Sequence, residues 1–184
     1  MERLNPQSRR DPFGSRINRT QSSILAYGLP WATIMLGSLA PWLPVIAPAP
    51  IIPPLGYLLL LAWRLLRPGL LPLWAGLPLG LFDDLYSGQP FGSAILLFSL
   101  TLVAIELIEL RFPWRTFVLD WLTASAMITV YLAFAALCSG AQLTVVQFGV
   151  IVPQLLLSLV LFPIIARMVS VLDRLRLMRV RRIG

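Results

Sequence analysis

Residues 51–86 read IIPPLGYLLLLAWRLLRPGLLPLWAGLPLGLFDDLY, and whether this stretch crosses a bilayer once or twice decides the fold. Arg64 and Arg67, followed at once by the breaker pair Pro68–Gly69, mark a tight turn at an interface. The stretch therefore divides into two spans, about 51–66 and 70–86. Working outward, four more apolar stretches appear at about 24–40, 91–110, 116–138 and 147–169. A span needs about 20 apolar residues, with a range of ~17–25. The second and third stretches are short by that standard, so their ends are expected to be partly buried by neighbouring helices. The expectation is an all-α, polytopic integral membrane protein with six transmembrane helices over 24–169. A cytoplasmic arginine-rich tail (1–23) precedes this domain, and a basic cytoplasmic tail (170–184) follows it.

Charge placement supplies the orientation. All 15 basic residues are arginine. Five lie in the N-terminal tail (Arg3, Arg9, Arg10, Arg16, Arg19), two in the 64–69 turn and two in the 111–115 turn (Arg111, Arg115). The other six lie toward the C-terminus (Arg167, Arg174, Arg176, Arg179, Arg181, Arg182). With six spans these four segments share one side, and the connections near 41–50, 87–90 and 139–146 hold no basic residue. The positive-inside rule puts the arginines, and with them both termini, in the cytoplasm. Five or seven spans would scatter them over both faces.

Composition agrees and excludes much chemistry. The chain is 58% hydrophobic and 12% charged, about half the charged fraction of a soluble domain. Histidine is absent, which removes the commonest general base and metal ligand. The single cysteine, Cys138, excludes an internal disulfide and a multi-cysteine metal site. No cofactor is implied. The net charge of +7 does not point to nucleic acid, because its arginines are already sorted by topology. Residues 1–23 lack the compact apolar core and cleavage site of a signal peptide and are expected to be a retained tail. The tryptophans (31, 42, 63, 74, 114, 121) mostly fall near expected span ends, where an indole suits the interface. Pro41 to Pro54 form an extended outer connection, while Pro78, Pro153 and Pro163 should kink spans.

The most informative segment is 80–92, GLFDDLYSGQPFG. Asp83 and Asp84 end the third span; Ser87 to Pro90 turn the chain; Gly92 opens the fourth. Asp83 reads as an acid tolerated at an outer-interface turn. Asp84, at the end of a short span, is expected to point into the bundle, capping the next helix or anchoring a partner protein. The run Gly80, Asp84, Leu85, Ser87, Gly88, Gly92 resembles the G-x-x-x-D-L-x-S-G-x-x-x-G signature of the MreD family of rod shape-determining membrane proteins. The proline-bearing lead-in and Trp-containing second span (Pro53, Pro54, Leu58 to Trp63), the chain length and the basic C-terminal tail are similar too. The resemblance covers about 45–170 and does not extend to the long N-terminal tail. It implies a non-enzymatic inner-membrane scaffold of cell-wall elongation. The implied partners are MreC, a single-span protein with a periplasmic domain, then the MreB filament, RodA and its class B penicillin-binding transpeptidase.

The remaining polar residues admit two readings each. Glu106 and Glu109, one turn apart, make an acidic face paired with Arg64, Arg67 or Arg115, or else a cation site. Asp120 is expected to anchor an ion pair. Residues 167–182 form a moderately amphipathic helix (Met168, Val171, Leu172, Leu175, Met178 on one side), resting on anionic lipid or docking a cytoplasmic partner. Gly76 and Gly80 make a small-x-x-x-small pair suited to close helix approach. Two other functions compete with this one. The six-span layout is similar to substrate-binding subunits of energy-coupling-factor vitamin transporters, for which Asp83, Asp84, Tyr86 and Gln89 would supply a polar pocket. An intramembrane aspartyl protease needs two aspartates meeting from two spans, which the placement of Asp83, Asp84 and Asp120 does not offer.

Overall fold

The structure, a computed structural model, describes residues 23–42, 52–111, 116–138 and 145–176. The arginine-rich tail, most of the proline-rich connection, Trp114, Arg115 and the basic residues after Arg176 lie outside the described residues. Among the described residues every regular element is helical: α1 (Ser23–Ser38), α2 (Leu55–Leu66), α3 (Gly76–Tyr86), α4 (Ser93–Arg111), α5 (Phe117–Cys138) and α6 (Val145–Arg176), with 3₁₀ turns at Ala40–Trp42 and Leu73–Ala75. The all-α class and the number of helices follow the expectation.

The division of 51–86 has a clear local cause. Arg67 closes α2 by donating its backbone N–H to the Trp63 carbonyl at 3.0 Å. Gly69 then adopts φ +79°, a left-handed conformation that most side chains disfavour. Pro72 is extended and caps the 3₁₀ turn at Leu73. Helix therefore resumes only at Leu73 rather than at residue 70, because Pro72 also restricts the residue before it.

α2 is the centre of the bundle. At 12 residues it is about 18 Å long, well short of the ~30 Å hydrocarbon core. Ten of its residues, Gly56 through Leu65, are buried. It packs against α1, α4, α5 and α6, so neighbours enclose it on all sides, as its shortness demanded. Among the described helices three are long and apolar enough to cross a membrane by length and composition: Ser93–Arg111, Phe117–Cys138 and Ile151–Arg176, with mean hydropathies of 2.1, 1.8 and 2.4. Their outer faces are apolar. Leu96, Leu100, Val103, Leu107 and Leu110 run down α4, and Val152, Leu156, Val160, Ile164, Met168, Val171 and Leu175 run down α6, all exposed. Stripes of this size suit lipid or partner helices, not water.

Successive helices run in alternating directions. The C-terminal ends of α2, α4 and α6 meet through Arg64–Glu109 (3.0 Å) and Arg67–Asp173 (2.5 Å). At the opposite end Trp42, just after α1, lies edge-on to Tyr86 of α3 at 5.8 Å. There too, Gln154 of α6 donates to the Ile52 carbonyl before α2 at 3.0 Å. The arginines among the described residues all lie toward the first end.

Lipid tails give no hydrophobic drive for apolar helices to associate, so close packing has to hold them together. Glycine supplies it at the α3–α4 contact. A Cβ on Gly80 would lie 2.5 Å from the Ile95 Cα and 2.6 Å from the Ala94 carbonyl oxygen, and one on Gly76 would lie 2.7 Å from the Ser99 Cα. These neighbours are backbone and cannot swing aside. Gly80→Ala is expected to destabilise by about 1–3 kcal/mol, the usual penalty of overpacking. Gly149→Ala, where a Cβ meets nothing within 4 Å, is expected to be neutral or stabilising by up to ~1 kcal/mol. Thermal unfolding of the two variants in the same detergent separates them; equal midpoints would refute the close-approach account.

Candidate functional site

The 80–92 segment folds as a helical hairpin closed by one carboxylate. Gly80 and Asp84 are four residues apart, so both face α4. Asp84, only 6% exposed, accepts backbone N–H groups from Gly92 (2.9 Å), Ala94 (2.9 Å) and Ile95 (3.3 Å), and the Ser93 hydroxyl at 3.4 Å. These are the first-turn donors that an α-helix leaves without intrahelical acceptors. An N-cap side chain normally satisfies one of them locally; here an acid on the preceding helix takes three. Gly88 (φ +70°) and Gly92 (φ +95°) bend the connection so that α4 starts against Asp84. Of the motif residues, Gly80, Asp84, Gly88 and Gly92 thus converge on this hairpin. Leu85 points away and is 62% exposed, and Ser87 turns to the other side, toward Asp83.

Asp83, one residue earlier, faces the bundle interior and is buried. It borders a cavity of about 620 Å³ at the arginine-free end. Five segments wall this cavity: the end of α1 (Gly37, Ser38), the start of α2 (Pro53 to Gly56), the α3–α4 turn (Ser87 to Pro90), α5 (Tyr131, Leu132, Ala135) and α6 (Ile151, Gln154). The hydroxyls of Ser38 and Ser87 flank the Asp83 carboxyl. Gln89 donates to the Tyr131 hydroxyl at 3.1 Å. The Tyr131 ring stacks on Tyr57 at 4.1 Å, and the Tyr57 hydroxyl in turn meets the Thr101 hydroxyl at 2.8 Å and the Met127 carbonyl at 3.2 Å. A glycine at position 56 is required here, since a Cβ would collide with Ser38 and come within 3.0 Å of Asp83 Oδ1.

The opposite end is built from charge pairs. Arg64 is 1% exposed, and its guanidinium contacts both Glu106 and Glu109. Arg67 donates its Nε to Asp173 at 2.7 Å, and Asp173 also faces Arg176 at 3.2 Å on its own helix. The acidic face at Glu106 and Glu109 is therefore paired with Arg64, one of the partners expected. Asp120 lines a second, largely apolar cavity of about 580 Å³ together with Arg167 and Phe162.

Several participants escaped the sequence reading. Tyr57, Tyr131, Ser38 and Gln154 come from four different helices, and Asp173 falls in a stretch dominated by arginines. A faint signal existed: each is a polar group in an otherwise apolar run, which lipid tolerates only if it faces protein. Trp63 corrects an expectation. It is fully buried and donates its Nε1 to Thr33 at 2.9 Å, so it is a core residue and not an interfacial anchor. Trp42 and Trp74 remain exposed.

Residues 25–175 match the family described as rod shape-determining protein MreD. No curated protein and no solved structure matches the chain. The match runs from the first turn of α1 to the last turn of α6, including the hairpin closed by Asp84, and the chain belongs to the MreD family of rod shape-determining proteins.

Proposed function

We propose that this protein is a non-enzymatic scaffold of the cell-elongation machinery, crossing the bacterial inner membrane six times with both termini in the cytoplasm. On this reading it maintains rod shape by binding MreC and by helping to organise peptidoglycan synthesis with MreB, RodA and its class B penicillin-binding transpeptidase. Family membership carries the proposal. Two features support it: arginines gathered at one end of alternating helices, as the positive-inside rule requires of an even number of crossings, and long apolar outer faces on α4, α5 and α6 available to partner helices. The basic tails suit anionic lipid on the cytoplasmic face.

The motif is assigned to the fold, with any partner contact falling on its exposed residue. Co-purification of MreC with wild type, Asp84→Ala and Leu85→Ala, alongside thermal unfolding of each, tests both assignments. Leu85→Ala is expected to leave stability within about 0.5 kcal/mol, as exposed substitutions usually do, while weakening MreC capture. Asp84→Ala is expected to lower stability first. Failure of wild type to retain MreC under mild detergent would sink the scaffold reading.

A second reading, a small-molecule-binding membrane subunit like those of energy-coupling-factor transporters, draws support from the polar cavity beside Asp83. Thermal stabilisation by a vitamin-like ligand would promote it.

A further inference from the structure

We propose that the cavity at the arginine-free end is a binding site for a primary ammonium group, with Asp83 as its counter-ion. The inference stands apart from the scaffold reading and rests on four observations.

The first is an unneutralised acid. Asp83 and Asp84 are adjacent, yet only Asp84 is satisfied by backbone donors. Among the described residues no arginine pairs with Asp83; the ion pairs all lie at the other end of the bundle. A buried acid in an apolar bundle is costly, and it persists where a partner or a ligand completes it. The second is space. About 620 Å³ beside the carboxyl falls within the ~300–1,000 Å³ range of small-ligand sites. The third is the lining. Acceptor-capable groups surround the void: the Asp83 carboxyl, the Ser38 and Ser87 hydroxyls, and the Gln89 and Gln154 side chains. The amide nitrogens of both glutamines already donate elsewhere, to Tyr131 and to the Ile52 carbonyl. The Gln89 carbonyl oxygen already accepts from the Ser93 and Tyr131 hydroxyls, so Asp83 and the Gln154 carbonyl oxygen are the main acceptors left, and an ammonium group is all donor, with no acceptor. The fourth is the lack of an anion-binding group: no described lining residue is basic, so a ligand whose only charge is negative would meet like charge at Asp83.

An ammonium of this kind has two sources, the headgroup of an aminophospholipid or a free small amine. The walls suit either, since apolar residues such as Leu55, Leu132 and Ile151 share the cavity with the polar ones.

The test uses the full chain. Protein reconstituted in nanodiscs of equal parts phosphatidylethanolamine and phosphatidylglycerol is released for native mass spectrometry, and bound lipid is counted. In parallel, detergent-purified protein is titrated with ethanolamine while thermal unfolding is followed. Retention of phosphatidylethanolamine over phosphatidylglycerol identifies the lipid source. Stabilisation by ethanolamine in detergent identifies a free amine. Either preference should fall about tenfold or more in Asp83→Asn, the lower end of what one charge-assisted hydrogen bond contributes. Should Asp83→Asn fold poorly, Ala135→Phe fills the cavity without removing the charge and should abolish the same binding. Asp120→Asn, at the opposite end, should leave it unchanged. The proposal is overturned by equal retention of the two lipids with no response to ethanolamine. It is overturned equally if binding survives both Asp83→Asn and Ala135→Phe.

Discussion

Asp84→Ala is expected to lower the stability of the bundle by on the order of 3 kcal/mol, more than an ordinary helix cap. A typical N-cap truncation costs about 0.5–2 kcal/mol, because one donor loses one acceptor and water replaces it. Here three backbone N–H groups share a carboxylate that is 6% exposed, and water has little access. Each orphaned buried donor costs about 1–3 kcal/mol, and relaxation of the turn offsets part of the total. Asp84→Asn keeps one acceptor oxygen and replaces the other with a donor aimed at donors, so roughly half of the loss is expected to remain. The effect should be local at first: amide exchange at the start of α4, from Gly92 to Ile95, should accelerate before that of α2. Equilibrium unfolding in lipid gives the magnitude and hydrogen exchange gives the location. An alanine variant with native stability and native exchange, but without MreC, would move Asp84 from the fold to the partner surface.

The sequence showed some of this because some of it is local. The turn at Arg64–Gly69 is written within six consecutive residues, and the α3–α4 hairpin follows from a helical spacing (Gly76, Gly80, Asp84) plus two glycines that accept positive φ. The cavity at Asp83 is not local. Ser38, Gly56, Tyr131 and Gln154 reach it from four helices, and α4, α5 and α6 are so uniformly apolar that their sequences do not show which face turns inward. In water, an amphipathic stripe betrays the buried face; in lipid both faces are apolar and that signal is erased. Trp63 illustrates the same loss: only Thr33, thirty residues away, distinguishes a core indole from an interfacial one. Arg64 was legible as a turn charge and illegible as a buried one, because its burial depends on α4 supplying two carboxylates.

That dependence sets up the largest asymmetry expected in this protein. Removing both carboxylates, Glu106→Ala with Glu109→Ala, strands a guanidinium that is 1% exposed and whose Nε and Nη1 already have no hydrogen-bond acceptor. Breaking a buried pair in this way costs about 3–5 kcal/mol. The reverse change, Arg64→Leu, is expected to be milder, about 1–2 kcal/mol, the penalty for a hydrogen-bonded group that loses its partner. Glu106 is 42% exposed and can turn to water, whereas Glu109, at 15%, bears most of that cost. The triple variant removes every charge from the cluster and leaves Leu among the apolar residues of α2. Replacing a buried ionic group with well-packed apolar side chains is often neutral, so the triple variant should recover most of the stability lost by the double. A thermodynamic cycle over wild type, the single, the double and the triple variants measures this directly. If the triple is instead as unstable as the sum of its parts, Arg64 contributes packing through its aliphatic stem and not charge pairing.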